Sequence, residues 1–182
     1  MIVQPQLEKR EFEKEQEKLV AAFKEIATIH EDSEPIQKGE DHSSLSGVRG
    51  ILIIPKIDVE MLIFEGVGDS SLRNGVGMIE PDKEIGVHNI GLAGHRGVQF
   101  GKQFNRLDEL VVNDEIHITQ GTTKYTFIVK EKFVVDRTRV DVLEEMDTAY
   151  LTLVTCTPIG VKNPKDRLIV QAILKSKDKE KI

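Results

Sequence analysis

Three residues at the ends of apolar segments carry side chains that together could perform acyl transfer. Cys156 is the only cysteine in the 182-residue chain, so its thiol has no partner for an internal disulfide. His95 follows one short apolar segment, and Arg167 begins another. A thiolate is a nucleophile, an imidazolium stabilises it, and a guanidinium stabilises an oxyanion. We therefore predict that Cys156 is the nucleophile of an acyl-transfer enzyme and that His95 and Arg167 assist it.

The surroundings of Cys156 predict a strand end. The segment Tyr150–Cys156 alternates as a strand does, which puts Val154 and Cys156 on the same face. A ten-residue loop, 157–166, then leads to Arg167 at the head of the last predicted strand. If the two strands are antiparallel, Cys156 and Arg167 flank one hairpin mouth. Taken alone, a single cysteine is more typical of inert core packing. The prediction of a nucleophile therefore depends on the combination of Cys156 with His95 and Arg167.

The histidine lies in a glycine-flanked turn. The apolar segment Ile90–Ala93 runs into Gly94, His95, Arg96 and Gly97. Glycine allows the backbone to approach a neighbouring group closely, and catalytic groups tend to lie on loops held by a rigid scaffold. We expect His95 on the rim of the fold rather than in its core.

Composition excludes several classes of protein. Hydrophobic residues make up 39% of the chain and charged residues 31%, which is typical of a globular protein with one main domain. A formal net charge of −6 argues against a nucleic-acid-binding surface. We find neither a run of about 20 apolar residues nor an apolar segment near Met1, so no membrane anchor or signal peptide is expected within the chain.

Three parts of the chain differ in pattern. Residues 1–47 are expected to form an amphipathic helix, Gln6–Glu31, and a polar linker, 32–47. Residues 48–175 contain the β-branched segments and form the predicted domain, and residues 176–182 form a charged tail.

The predicted domain is all-β. Two short breaks, Gly101–Leu110 and Val140–Met146, are helical in pattern, but neither recurs with the strands as βαβ units would. A closed or nearly closed β-barrel is the favoured architecture. The predicted strands are Gly50–Pro55, Val59–Phe64, Ile90–Ala93, Glu115–Thr119, Lys124–Val135, Tyr150–Cys156 and Leu168–Leu174.

Taken together, these segments resemble the sortases, the cysteine transpeptidases of Gram-positive cell surfaces. The resemblance rests on the strings Leu92–His95 and Thr152–Cys156 and on Arg167 at the head of the final strand. It covers roughly residues 48–174, including the opening Gly50–Ile57. It implies an eight-stranded sortase-type β-barrel.

The resemblance also implies an activity. A sortase recognises a Leu-Pro-x-Thr-Gly sorting signal near the C-terminus of a secreted protein and cleaves after the threonine. Cys156 would form the thioacyl intermediate, His95 would be the general acid and base, and Arg167 would hold substrate or oxyanion. Ala93 and Val154 match positions that line the family's substrate groove.

The implied partners are surface proteins that carry the sorting signal and an amine of a lipid II-like cell-wall precursor. The implied location is the extracellular face of the membrane, with a transmembrane anchor outside this chain. Because an unperturbed thiol pKa lies above that of imidazole, a thiolate–imidazolium pair is a minority state, and a bell-shaped rate profile is expected.

Three alternatives remain open. A pilin-building sortase would use a lysine as the amine, but residues 31–47 offer only Glu34–Ile36 where such enzymes carry an Asp-Pro-aromatic lid, so wall anchoring is favoured. A non-catalytic peptide-binding β-barrel would use Cys156 only for packing. A papain-like hydrolase would need a helix-borne cysteine that precedes the histidine, which is the opposite order.

No metal or other cofactor is predicted. Some sortases bind calcium through a loop before the histidine strand, and Glu80, Asp82 and Glu84 fall there, but only Glu80 matches a family ligand position. We expect a solvated acidic loop. A zinc site of His88, His95 and Cys156 would lack a fourth ligand.

Overall fold

The fold is a closed barrel of eight β-strands, which confirms the predicted all-β class. The computed structural model describes residues 4–29, 45–97 and 103–179. Each predicted strand is present, with ends shifted by a few residues. The strands are β1 (Val48–Ile54), β2 (Val59–Glu65), β3 (Gly75–Met78), β4 (Asn89–Ala93), β5 (Glu115–Gln120), β6 (Thr123–Asp136), β7 (Tyr150–Thr157) and β8 (Asp166–Lys179).

Around the barrel the strands follow the order β1-β2-β3-β4-β7-β8-β6-β5, and β5 pairs with β1 to close it. Two neighbouring pairs are parallel, β2 with β3 and β4 with β7, and the others are antiparallel. A short helix, α2 (Asp69–Asn74), makes the crossover from β2 to β3. The sequence patterns missed both α2 and β3. In the case of β3 the reason is that it has four residues and two are glycines, which are depleted in strands.

An aliphatic core fills the barrel. Its largest fully buried side chains include Leu52 of β1, Met61 of β2, Ile90 of β4, Phe127 of β6 and Phe104 of the loop after β4. Leu153 of β7 also points into this core, which fixes the opposite face of β7 as the outer face.

The N-terminal helix, α1 (Gln4–Ile29), packs on the outside of the barrel. It begins two residues before the predicted helix, and residues 30 and 31 of that prediction lie outside the described residues. Val20 is 5% exposed and contacts an apolar cluster that contains Ile51, Leu62 and Phe64. Within the described residues, no helix is long and apolar enough to cross a bilayer.

Other predicted segments differ in detail. The helical breaks are single 3-10 turns at Leu107–Glu109 and Asp141–Leu143, and residues 98–102 lie outside the described residues. Residues 32–44 of the predicted linker, 32–47, are also outside them. The charged tail was expected to start at residue 176, but β8 continues to Lys179, where it pairs with Thr123 of β6. The backbone N–H and C=O groups of this segment form ladder hydrogen bonds with β6, although its side chains are charged.

Candidate active site

Cys156 and Arg167 lie directly opposite each other at the open end of the β7–β8 hairpin. They are register partners in this pair, which is antiparallel, and they flank the hairpin mouth as expected for that arrangement. The Nη1 group of Arg167 donates to the carbonyl oxygens of Pro164 and Asp166, both at 2.9 Å. These two bonds fix the guanidinium at the hairpin mouth. Within the described residues its Nε and Nη2 groups make no hydrogen bond.

His95 reaches the same end of the barrel because β4 and β7 are parallel neighbours. The last register pair is Ala93 with Val154. His95 follows the end of β4 by two residues, and Cys156 lies two residues further along β7. The backbone N–H of Gly94 donates to the carbonyl of Val154 at 3.1 Å, which extends the pairing towards the histidine. The histidine and the cysteine therefore lie side by side, at the same level of the barrel.

Burial changes the protonation of the histidine. Desolvation lowers the pKa of His95 below its usual value, and the negative charge of Asp69 on α2 opposes this effect without cancelling it. The neutral imidazole is thus favoured, which suits a group that accepts a proton from a thiol.

The three predicted catalytic residues line one open cleft of about 560 Å³. The β7–β8 loop forms the opposite side, and its apolar residues Ile159 and Val161 are about half exposed. Three further side chains at the cleft are cationic, although the whole chain has a net charge of −6. They are Arg96, Arg137 and Lys162.

Ala93 and Val154 are also neighbours. They are register partners on β4 and β7, and both are partly exposed on the outer face. They do not line the cleft itself but lie two residues back along the strands from His95 and Cys156. A peptide that leaves the cleft along these two strands would contact both side chains.

Gln103, which the sequence patterns did not single out, holds the backbone of His95. Its side chain is fully buried. Its Oε1 atom accepts a hydrogen bond from the His95 N–H at 2.9 Å, and its Nε2 group donates to the carbonyl of Leu72 in α2 at 3.0 Å. The next residue, Phe104, donates its N–H to the His95 carbonyl at 3.1 Å. The histidine is therefore fixed on both sides of its backbone and connected to α2.

The flanking glycines have a packing reason. A Cβ atom on Gly94 would lie 2.6 Å from the ring of Phe104, and one on Gly91 would lie 2.6 Å from the side chain of Leu143. Both distances are far below van der Waals contact. The close approach expected at this turn is thus the packing of Gly94 against Phe104, and Gly91 packs as closely within β4.

A buried polar network attaches the β6–β7 loop to the outer face of the barrel. Asn89 donates through Nδ2 to the carbonyls of Val142 and Glu144, at 3.1 and 2.9 Å. Thr152 donates to the Asn89 side chain at 2.8 Å, and Gln171 donates to the carbonyl of Val142 at 3.0 Å. The loop forms a wall beside the strip of β4 and β7 that carries Ala93 and Val154.

Lys83 fixes the same loop by charge. Its Nζ group lies 2.8 Å from Glu80 and 2.9 Å from Glu145, and it donates to the carbonyl of Leu143 at 2.9 Å. Desolvation lowers the pKa of Lys83, but the hydrogen bonds and charges of the two glutamates outweigh it, so the pKa lies above its usual value. Of the three acidic residues that a calcium site would use, Glu80 is thus paired with a side-chain cation.

The geometry does not support the zinc alternative. His88 lies beside Tyr150, whose N–H donates to the His88 carbonyl. Tyr150 is six residues before Cys156 on β7, so His88 and Cys156 are roughly 20 Å apart along an extended strand. Its Nδ1 atom accepts a hydrogen bond from the N–H of Glu84. Among the residues that the structure describes, no cluster of His, Cys, Asp or Glu side chains could hold a metal ion.

Comparison with known proteins gives a consistent family. The sortase domain family model matches residues 52–175. Sortase A of Listeria monocytogenes is 29% identical over 119 residues, which cover 65% of this chain and 54% of the relative. The chain spans between 54% and 62% of the lengths of three sortase A relatives.

Solved structures agree. The crystal structure of Listeria monocytogenes sortase A superimposes with a TM-score of 0.70 at 26% identity, and covers 75% of this chain and 92% of that chain. A Clostridium perfringens sortase D5 transpeptidase superimposes with a TM-score of 0.67 at 30% identity, with 90% and 99% coverage.

Proposed function

The chain belongs to the sortase family, and from this membership we propose that it is a cysteine transpeptidase that acts on a Leu-Pro-x-Thr-Gly-type sorting signal. The observation that carries the proposal is the convergence of Cys156, His95 and Arg167 on one cleft from three strands. Each side chain has the chemistry that its role requires.

In the first half-reaction, His95 takes the proton of the Cys156 thiol, and the thiolate attacks the carbonyl carbon of the threonine in the sorting signal. The tetrahedral oxyanion that forms accepts hydrogen bonds from Arg167, whose guanidinium stays protonated and cannot serve as a base. The C–N bond to glycine then breaks. His95 donates its proton to the leaving amine, and the threonine carbonyl remains on the sulfur as a thioester.

In the second half-reaction, an amine attacks the thioester. His95 accepts the proton that the amine loses, the C–S bond breaks, and the new amide is released with the thiolate restored. We propose an amine of the cell-wall precursor as the acceptor and the extracellular face of the membrane as the location. The strip formed by Ala93 and Val154, bordered by the β6–β7 loop, is the proposed groove for the residues before the scissile bond.

Pilin building is the alternative function within the family. The two functions differ in the amine that attacks the thioester, which is a lysine of a pilin subunit in pilin building. The segment Glu34–Ile36, where a lid motif would fall, lies outside the described residues. The relatives named above include a sortase A and a sortase D5, so the subclass is a prediction from the lid region of the sequence.

The test uses fluorogenic peptides that contain Leu-Pro-x-Thr-Gly, with a short amine acceptor in one arm and a peptide lysine in another. We expect cleavage, a thioacyl adduct on Cys156 by mass spectrometry, and product formation that depends on the acceptor. The variant Cys156→Ala keeps the fold because the residue is small and only partly buried, and it should be inactive. Turnover that persists in Cys156→Ala would contradict the proposal. So would the absence of an adduct across a panel of such peptides, and that result would favour a non-catalytic peptide-binding barrel.

A further inference from the structure

Arg96 bridges the two strands that carry the histidine and the cysteine. It follows His95 directly, and its Nη1 group donates to the hydroxyl of Thr157, the residue after Cys156, at 3.0 Å. Its Nη2 group lies 2.7 Å from the carboxylate of Asp108. One guanidinium thus joins the neighbours of both proposed catalytic residues.

This bridge continues a series of cross-links beyond the last paired residues of β4 and β7. Gly94 donates its N–H to the carbonyl of Val154, and the hydroxyl of Thr155 donates to the carbonyl of Gly94 at 2.7 Å. Past these bonds the chain after β4 leaves the sheet, while β7 stays paired with β8 as far as Thr157. Ladder hydrogen bonds between β4 and β7 therefore no longer set the distance between the two chains. Within the described residues, the contact from Arg96 to Thr157 is the cross-link nearest the open end.

The side chain of Arg96 is deeply buried for a guanidinium. It is 7% exposed, and its Nε atom is buried without a hydrogen-bond partner in the described part of the chain. Burying a cation with an unmet donor costs free energy, and an apolar side chain of similar volume often stabilises a fold as well or better. Stability alone therefore gives a poor account of an arginine at this position.

We propose that Arg96 is a positioning residue that sets the His95 imidazole against the Cys156 thiol through its bond to Thr157. This inference deepens the proposed transpeptidase function and rests on it. Arg96 acts through its neighbours and not on the substrate. A displacement of about 1 Å between reacting groups lowers rates about 100-fold, so loss of the bridge should act on the chemical step.

The experiment is a double-mutant cycle with a matched control on the same guanidinium. Arg96→Met and Thr157→Val each remove the bridge, the double variant removes both ends, and Asp108→Asn weakens only the outer partner. We measure kcat and KM with the sorting peptide, the pH dependence of iodoacetamide alkylation of Cys156, and Tm. Arg96→Lys is included in case Arg96→Met does not fold.

We expect Arg96→Met and Thr157→Val each to lower kcat about 10- to 100-fold with KM changed less than about threefold. The double variant should be no slower than the slower single variant, because both remove one interaction. Asp108→Asn should stay within about twofold of the wild type. Alkylation in the two single variants should lose the part of its pH profile that depends on His95.

Independent losses that multiply in the double variant would overturn the inference. So would a loss in Asp108→Asn equal to that in Thr157→Val, or a fall in kcat that only follows Tm. The alkylation assay needs no peptide, so it separates this inference from the proposed function. If no sorting peptide is turned over, the proposed function fails, and an unchanged alkylation profile in Arg96→Met would still count against the bridge.

Discussion

Cys156 and Arg167 face each other as register partners across the β7–β8 pair. Their side chains therefore leave the sheet on the same face and at the same level, where the hairpin opens into the cleft. The guanidinium is anchored through Nη1 to two loop carbonyls, so it is oriented before substrate arrives. An oriented donor stabilises a developing charge without first having to reorganise.

We predict that Arg167→Ala lowers kcat/KM about 100- to 1000-fold, which is the usual cost of removing an oxyanion donor. Arg167→Lys should recover only part of the activity, because an ammonium cannot reproduce the planar fork of the guanidinium. Steady-state kinetics with the fluorogenic sorting peptide give both values. Arg137→Lys, at another cationic residue of the same cleft, is the matched control and should stay near the wild-type value. Equal activity of Arg167→Lys and the wild type would show that charge alone matters.

The sequence was sufficient to predict this pair because local rules determine it. Strand alternation fixes the face of Cys156, and the short connection to Arg167 makes an antiparallel hairpin the natural arrangement. His95 is different. It lies 61 residues before Cys156, and only the parallel pairing of β4 with β7 brings the two together. The pairing of β4 with β7 depends on how the barrel closes, and no local pattern in the sequence predicts it. The position of His95 beside Cys156 was predicted only from the resemblance to a family.

Gln103 and Lys83, which support the site, could not be predicted from the sequence, because their partners are also distant along the chain. Gln103 binds the carbonyl of Leu72, 31 residues earlier, and Lys83 binds the carbonyl of Leu143, 60 residues later. Neither lies in a motif with a fixed spacing, and a glutamine or lysine in a polar loop is ordinarily solvated. Only the tertiary fold shows that these side chains hold the cleft and its wall.

The pH profile of Cys156 alkylation should reflect the lowered pKa of His95. Desolvation favours the neutral imidazole, so the histidine loses its proton at a lower pH than usual, and the acid limb of the alkylation profile should lie below about pH 6.5. Asp69→Asn removes the charge that opposes this effect, and we expect the limb to move to still lower pH. Rates of iodoacetamide alkylation between about pH 4 and 9 measure it.

Asp82→Asn is the control for that experiment, since it neutralises an exposed carboxylate in the β3–β4 loop. Its profile should match the wild type. Reactivity that stays flat down to about pH 5 would mean that the thiol is already fully ionised near neutrality, and the proposed thiolate–imidazolium balance would be wrong.

Gln103→Met should impair both folding and chemistry. The substitution leaves the N–H of His95 and the carbonyl of Leu72 without their side-chain partner in a buried place, and we expect a loss of about 1–3 kcal/mol in the free energy of unfolding. It should also lower kcat more than it raises KM, because the histidine loses its fixed backbone. Thr126→Val is the control, because it removes a partly buried hydrogen bond to His117 at a point where β6 pairs with Ser176, nine residues along β8 from Arg167. A similar fall in kcat for Thr126→Val would indicate a general loss of stability.

Lys83 should affect substrate binding through the β6–β7 loop and leave the thiol chemistry intact. Lys83→Met removes the cation between Glu80 and Glu145 and the donor to Leu143, so the wall of the proposed groove is held less firmly. We expect KM for the sorting peptide to rise, the alkylation rate of Cys156 to stay within about twofold, and Tm to fall by roughly 2–4 °C. Peptide kinetics, alkylation and thermal unfolding are measured on the same samples.

Lys56→Met provides the comparison for Lys83→Met, because it breaks another lysine–carboxylate pair, Lys56 with Asp114, and neither residue belongs to β4, β7 or the β6–β7 loop. It should change Tm by a similar or smaller amount and leave KM unchanged. Since the Lys83 ammonium already neutralises Glu80, added calcium or a chelator should change the wild-type rate less than about twofold. A rise in KM in both lysine variants, or an unchanged KM in Lys83→Met, would show that the ion pairs at Lys83 do not hold the groove.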